Sequence, residues 1–367
     1  MAELLVAQRH ELLLRELEAA GGLKVSELVT RLGVSGATIR RDLADLEAEG
    51  RVTRVRGGAM LAMPTPGADA PAAPAPAPVP AAPTRALGLL VPSATYYYPR
   101  VVAGVRAAAA ERGARIIIGL TDYARPDDLT QIEELRAAGA AGLLVTSAGG
   151  PLVPESTLER LRESGLPFVL LERQPQDRYG PYEFVASDHR QGAVAAVRHL
   201  AELGHRRVAL FTNGSPTAGQ IREGHAAAVE RLGLDAAPVQ DSGQPSPGAA
   251  EAAERYDRFI EACLADGVRA ALVHSDHDAI ELMRRLRGRG LRTPDDLALI
   301  AYDDEIAALA DVPLTAVAPA KHELGELAAR LLLDRLDAAE PPAVRQVALQ
   351  PRLIVRSSCG AVRTPTP

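Results

Sequence analysis

From about residue 86 onward, short apolar runs alternate with longer stretches in which apolar positions recur at three- and four-residue spacing. The runs at 86–91, 115–120, 142–146, 167–172, 208–212, 270–274 and 297–302 read as strands, and the patterns at 101–112, 129–138, 191–203 and 277–289 read as helices. Several of the helical patterns end at glycine, as in Glu111-Arg112-Gly113 and Glu202-Leu203-Gly204, the usual stop signal. Runs that are apolar throughout suit strands buried on both faces, so the alternation predicts an α/β fold of parallel sheets with helices on each side. About ten strands over about 275 residues is generous for one sheet and predicts two α/β lobes. In such folds ligands sit beyond the carboxyl ends of strands, so the polar residues that close each strand are the candidates for chemistry.

The first sixty residues have a different rhythm. Polar and apolar residues alternate at helical spacing over 3–20, with Leu5, Leu12, Leu13 and Leu17 as core, and Gly21-Gly22 ends the helix. Ser26 is placed to cap a second helix over 27–32, Gly33-Val34-Ser35 reads as a tight turn, and Ser35 is placed to cap a third helix over 36–49. On that helix Ile39, Leu43 and Leu46 share one face. Its front end presents Ser35, Ala37, Thr38, Arg40 and Arg41 on the other. Residues 51–56 then alternate at strand period and Gly57-Gly58 permits a sharp turn. This is the layout of a helix-turn-helix with a β-wing. A recognition helix enters the major groove by its N-terminal end, where short polar side chains and arginine reach base edges. Arg51, Arg54 and Arg56 stand where a wing meets phosphate or the minor groove.

Between these regions residues 63–83 read MPTPGADAPAAPAPAPVPAAP, a tract that cannot bury a core. In a polyproline conformation its roughly 20 residues span up to about 60 Å. The expected organisation is a DNA-binding domain at 1–62, a linker at 63–85, a ligand-binding and dimerisation domain at 86–360 and a disordered tail at 361–367. Net charge is −6, and residues 1–61 balance nine Lys and Arg against nine Asp and Glu. The DNA reading therefore rests on the placement of arginines, not on bulk charge. The two cysteines, Cys263 and Cys359, have no metal spacing and suit a reducing compartment. The start lacks the basic and apolar regions of a signal peptide, and no run is long enough to span a bilayer. Together these predict a cytoplasmic protein with no membrane partner.

The run Val34-Ser35-Gly36-Ala37-Thr38-Ile39-Arg40-Arg41-Asp42-Leu43, followed by Leu46-Glu47, Gly50 and Arg54-Val55-Arg56-Gly57-Gly58-Ala59, resembles the DeoR-type winged helix-turn-helix. By that resemblance Ser35, Thr38, Arg40, Arg41 and Arg54 contact operator DNA, with Arg56 beside them. The rest departs from the sugar-phosphate-isomerase-like domain that usually follows such a head. Ser187-Asp188-His189-Arg190-Gln191-Gly192-Ala193, the run from His199 to Ala209, Ile300-Ala301-Tyr302-Asp303-Asp304, Pro313-Leu314-Thr315, Glu323-Leu324-Gly325 and the run from Leu349 to Ser358 stand in an order similar to the effector domain of the lactose-repressor (LacI/GalR) family, itself akin to periplasmic sugar-binding proteins. The resemblance implies a homodimer and two lobes, about 86–186 with 319–343 and about 187–318 with 344–360, joined by three crossing strands around a ligand cleft.

A sugar needs carboxylates, arginine forks and an aromatic face. Asp303 directly follows an apolar strand, and the resemblance makes it a ligand-binding carboxylate. Arg222 matches the family's arginine that forks to sugar hydroxyls or a carboxylate. Ser275, where relatives often carry asparagine, and Asp276 close another strand. Glu172 and Arg173 follow a further strand and match an acidic-basic pair in the family, or form a surface ion pair worth little. Ser93 and the Tyr96-Tyr97-Tyr98 run follow the first strand. With no Trp and four Phe in the chain, Tyr97 and Tyr98 are the expected stacking surface, or else pack the lobe. Asp304 has the placement of a helix cap. The cluster from His274 to Asp278 fits no closed zinc set, and Asp303-Asp304, as neighbours on an extended segment, point opposite ways. No nucleophile elbow or phosphate loop is present. The reading is therefore a transcriptional regulator, a repressor, controlled by a carbohydrate effector, without cofactor, metal or catalytic residues. The rivals are a sugar-metabolising enzyme with a regulatory head and a sugar-binding transport component.

Overall fold

The computed structural model describes residues 10, 12–14, 17, 23–25, 28–29, 34–48, 51–55, 58–61, 85–177, 179–243, 250–340 and 342–361. Most of the helices expected over 3–20 and 27–32 lies outside the described residues. So do Leu5, Arg56, the expected linker up to residue 84, all but Ala361 of the expected tail, and the side chains of Arg40 and Arg54; Arg85, the last residue of the expected linker, already belongs to a strand.

In the head, helix α1 (Gly36–Ala48) follows Ser35, whose hydroxyl accepts the Thr38 N–H at 3.2 Å. That cap is worth about 1 kcal/mol. Ile39, Leu43 and Leu46 are buried with Leu13, Leu14, Leu17, Leu28, Val52 and Ala59 in one small core. The wing has a component with no counterpart in the sequence reading. β2 (Val52–Val55) pairs with β3 (Gly58–Leu61), and β1 (Leu23–Lys24) adds to the far side of β3, so Gly58 belongs to a strand and the sheet has three members. Both pairings are antiparallel, with β3 in the centre.

The rest of the chain forms two six-stranded sheets and a short parallel pair, β7 (Leu152–Val153) with β9 (Gln174–Pro175). The first has the order β16-β10-β8-β6-β4-β5, using Gln346–Leu349, Phe184–Ser187, Phe168–Leu171, Gly142–Val145, Arg85–Val91 and Ala114–Leu120. The second has the order β12-β11-β13-β14-β15-β17, using Val239–Asp241, Ala209–Thr212, Ala270–Val273, Ala298–Tyr302, Thr315–Ala318 and Arg352–Ile354. In each, the strand that comes first in sequence lies second from the edge, the winding of a doubly wound sheet with its switch point beside that strand. The central pairings are parallel and β17 is antiparallel to β15. The strands β4, β6, β11, β13 and β14 are buried along almost their whole length, as their apolar composition requires.

The chain divides into two compact units, 1–185 with 321–346 and 186–320 with 347–367. In the first unit, helix α2 (Tyr98–Glu111) crosses helix α9 (Lys321–Asp337) at two glycines. A Cβ on Gly104 would lie 2.0 Å from the His322 carbonyl oxygen, and one on Gly325 would lie 2.1 Å from that of Val101. No other residue permits that backbone contact. The helices between are α3 (Asp128–Ala137), α4 (Glu155–Glu163), α5 (His189–Glu202), α6 (Ala218–Arg231), α7 (Ala250–Ala265) and α8 (Asp276–Gly288). In the second unit, Gly192 on α5 lets that helix settle on Tyr302, whose hydroxyl would meet a Cβ at 2.4 Å.

Candidate functional site

The head presents Ser35 and Arg41 exposed and Thr38 half-buried at the front of α1. The Ser35 and Thr38 hydroxyls lie 2.8 Å apart, so the cap also fixes the two polar side chains that face outward together. Behind them Asp42 is buried and its Oδ1 is 3.5 Å from Nε2 of His10. With Asp45, these form a His/Asp group whose ligand atoms lie within 4.8 Å of one another. The buried Asp42–His10 contact ties the first helical segment to the recognition helix and leaves Arg41 to face outward.

In the first unit, the polar residues gather where β4, β8 and the chain after β5 end. Ser93 and Thr95 bond to each other at 2.9 Å and shape the turn after β4. Tyr97 donates its hydroxyl to Oε1 of Glu172, and the Lys321 ammonium stands 4.8 Å over the Tyr97 ring. One face of that ring is therefore occupied by a cation. Tyr98 is buried as the first residue of α2. Its hydroxyl is 2.9 Å from that of Tyr123, and burial holds its pKa well above the ordinary phenol value. Arg173 is buried, reaching Tyr123 at 3.2 Å and the Glu172 carbonyl at 3.1 Å. Glu172 and Arg173 are thus not a surface ion pair. Both point into the unit, where a buried carboxylate and guanidinium need hydrogen-bonding partners and have found tyrosines.

In the second unit, Asp303 follows β14 directly and is 6% exposed, with Oδ2 at 3.7 Å from Nε2 of His274. His274 is packed edge-on to Tyr302, and burial lowers its pKa against the opposing pull of Asp303. Thr217, Ser215 and Asn213 follow β11. Thr217 is 2.8 Å from Ser215 and 3.5 Å from His274. Ser275 donates to Asp278, which also accepts from Asn213 at 3.1 Å and Tyr256 at 2.6 Å. Arg222 is exposed and paired with Asp241.

Two expected roles change. Asp276 is fully buried, and its Oδ2 accepts the backbone N–H groups of Glu305, Ile306 and Ala307 at 2.7, 2.8 and 3.1 Å. It anchors the turn after Asp303. Asp304 does not cap a helix; it takes a bidentate fork from Arg356 at 2.6 and 3.1 Å. Asn213, Ser215, Thr217, His274 and Tyr123 were missed in the sequence. The strand-end rule reaches Asn213, Ser215 and Thr217 at β11 and His274 at β13.

The backbone marks the same places. Among the described residues, the non-glycine residues in the left-handed region are Tyr96, Glu172, Asp303 and Asp304, at φ of 59°, 56°, 91° and 57°. Each follows a strand of one of the two sheets. Such conformations cost on the order of 1–3 kcal/mol each and persist where surrounding structure enforces them, typically at ligand sites.

A winged helix-turn-helix carried on a doubly wound, two-unit body with strained polar strand ends defines a DNA-binding regulator with a small-molecule sensor. A DeoR-like helix-turn-helix domain matches residues 9–65, and a periplasmic binding protein-like domain matches residues 197–359. The arabinose metabolism transcriptional repressor of Geobacillus stearothermophilus is 25% identical over 349 residues, covering 90% of this chain and 89% of that protein. The HTH-type transcriptional regulator MalR of Streptomyces coelicolor is 30% identical over 242 residues, 64% of this chain and 68% of that protein. The crystal structure of the transcription regulator GntR from Chromobacterium violaceum is 26% identical with a TM-score of 0.65, covering 76% of this chain and 100% of that one. The chain belongs to the LacI/GalR family of transcriptional regulators, and it carries a DeoR-like head. No helix among the described residues is long and apolar enough to cross a membrane.

Proposed function

We propose that this protein is a cytoplasmic, homodimeric repressor whose hold on operator DNA is set by a carbohydrate, and that it catalyses no reaction. Residues 1–62 read the operator, 63–85 link, and 86–360 sense the effector and dimerise. In the head, Thr38, Arg40 and Arg41 reach bases, with Ser35 positioning them, while Arg54 and Arg56 meet the backbone or minor groove. On the body, the effector-contacting groups are Ser93, Tyr97, Tyr98, Glu172 and Arg173 of the first unit and Arg222, Ser275 and Asp303 of the second. Asn213 and His274 join the latter, and Asp276 supports the turn beside Asp303. The observation that carries this reading is the coincidence of left-handed backbone with buried carboxylates at Glu172 and Asp303. Carboxylates held this way are preorganised acceptors for vicinal hydroxyls. The arabinose-repressor relative supports a sugar as the effector class.

The test is a gel-shift titration on the DNA upstream of the protein's own gene, repeated with aldopentoses, aldohexoses and disaccharides. The expected result is a preference for that DNA of at least about 10³ over random duplex at physiological salt, changed by one sugar class. Arg40→Ala should cost about 1–3 kcal/mol of operator affinity with little change on random duplex. Equal affinity for upstream and random DNA under every condition overturns the reading.

A further inference from the structure

The base of the first unit holds a cavity of about 410 Å³. Its walls are Pro167, Phe168, Pro181, Tyr182, Ala338 and Ala339. The Phe168 and Tyr182 rings lie 6.2 Å apart. Glu183 at its base is buried and already accepts from Arg335 at 2.9 Å and from the backbone and side chain of Arg345 at 3.3 Å each. Charge in the cavity is therefore balanced internally, and a fitting occupant is uncharged and apolar, with rings or methyls to set against two aromatics. The uncharged run 70–84 has that composition: it contains six prolines, with Pro80 and Pro83 three residues apart. Three residues make one turn of polyproline helix, so in that conformation prolines at this spacing fall on one side. The run also ends in the right place. Arg85 opens β4 and pairs with Asp337, the residue preceding Ala338 of the cavity wall. At about 3.1 Å per residue, a polyproline tract running back from Arg85 reaches about 6 Å by its second residue and about 16 Å by its fifth.

We propose that this cavity is the docking site for the Pro/Ala tract of the same chain, with Pro80 and Pro83 seated against Phe168 and Tyr182 as polyproline ligands sit in aromatic grooves. The seat adjoins both places where the chain leaves the first unit. Tyr182 and Glu183 lead into β10, after whose Val185 the chain departs, and Arg345 precedes Gln346, the last residue before the other departure. Docking thus fixes where the tract starts toward the head and makes that start depend on the segments that connect the units. This route is independent of which effector binds.

The experiment uses the full chain with cysteines at Ala77→Cys and Ala339→Cys; the native Cys263 and Cys359 are buried. Under mild oxidation an intramolecular disulfide should form at least about fivefold faster than in the same double variant carrying Pro78→Ser, Pro80→Ser and Pro83→Ser, or Tyr182→Ser. The serine triple changes no residue of either sheet or of the helices packed on them, so it remains informative where Tyr182→Ser does not fold. A synthetic peptide of residues 70–84 should bind the serine-substituted full chain and fail to bind the native one. Equal oxidation rates in all three proteins, or a disulfide that joins two copies, overturns the proposal.

Discussion

The two sheets share a winding and differ in what closes their strands. In the first unit the strand ends carry phenols and an acidic-basic neighbour pair, and the hydroxyls do the pairing: Tyr97 to Glu172, Tyr98 and Arg173 to Tyr123. In the second they carry carboxylates and a histidine, and much of the pairing is to backbone, as in the three N–H groups on Asp276 and the Ser275 N–H on Asp278. A phenol can turn to a ligand hydroxyl at the cost of one hydrogen bond. A carboxylate holding three N–H groups cannot. On the proposed reading, the first unit's strand ends are the adaptable part and the turn that Asp276 anchors beside Asp303 is the preset part, so the second unit should decide whether an effector binds at all and the first should decide which one.

The sharpest way to break this contrast is Asp276→Ala. It strands three N–H donors in a buried turn, which costs about 3 kcal/mol or more, and the melting temperature should fall by about 6–12 °C by calorimetry. A loss below about 1 kcal/mol would show that the turn needs no anchor. Asp303→Asn should come next, weakening the effector by about 30-fold, roughly 2 kcal/mol, with operator affinity unchanged in the absence of effector. Simultaneous loss of both affinities would end the division between head and body. Tyr97→Phe should be milder, altering the ratio of affinities between two sugars by about fivefold, about 1 kcal/mol, with stability nearly unchanged. If it abolished all binding, the first unit would be no more adaptable than the second.

The smallest effect concerns pH. Burial lowers the pKa of His274 and of His225, both in the second unit, so the folded state keeps these rings neutral after the unfolded chain has begun to protonate. Their contribution is complete above the unfolded value of about 6.5 and is lost as pH falls below it. The melting temperature should therefore drop between pH 7 and pH 5.5. His225→Gln should shallow that drop, and an unchanged slope would remove His225 from the account.

The central strands were legible because a strand buried on both faces must be apolar throughout; 270–274 and 297–302 differ from β13 and β14 by one residue at an end. The wing was half legible. A two-residue strand such as Leu23–Lys24 has no period to read, and Gly58 looked like a turn because glycine carries no strand signal. Helix α2 begins at Tyr98, earlier than its apolar pattern, and Pro99 in its first turn is the cue that was available. Partnerships were not legible. Glu172 and Tyr97 are 75 residues apart and Asp276 reaches across about 30, and no local pattern records which buried carboxylate is spoken for. Residue types at strand ends point to a ligand site; only the fold separates those that face a ligand from those that hold the loops.

The glycine crossing of α2 with α9 has a mechanical meaning. With 14 residues α2 is a rod of about 21 Å, and locked backbone-to-backbone against a second rod it cannot bend independently. Tyr97 sits immediately ahead of one end, while just past the other Arg112 grips Asp334 and Asp337. A displacement of the tyrosine tip is therefore handed along the rod toward Asp337, which also pairs with Arg85 at the start of β4. Bulk at Gly104 would push the two rods apart and put slack in that drive shaft.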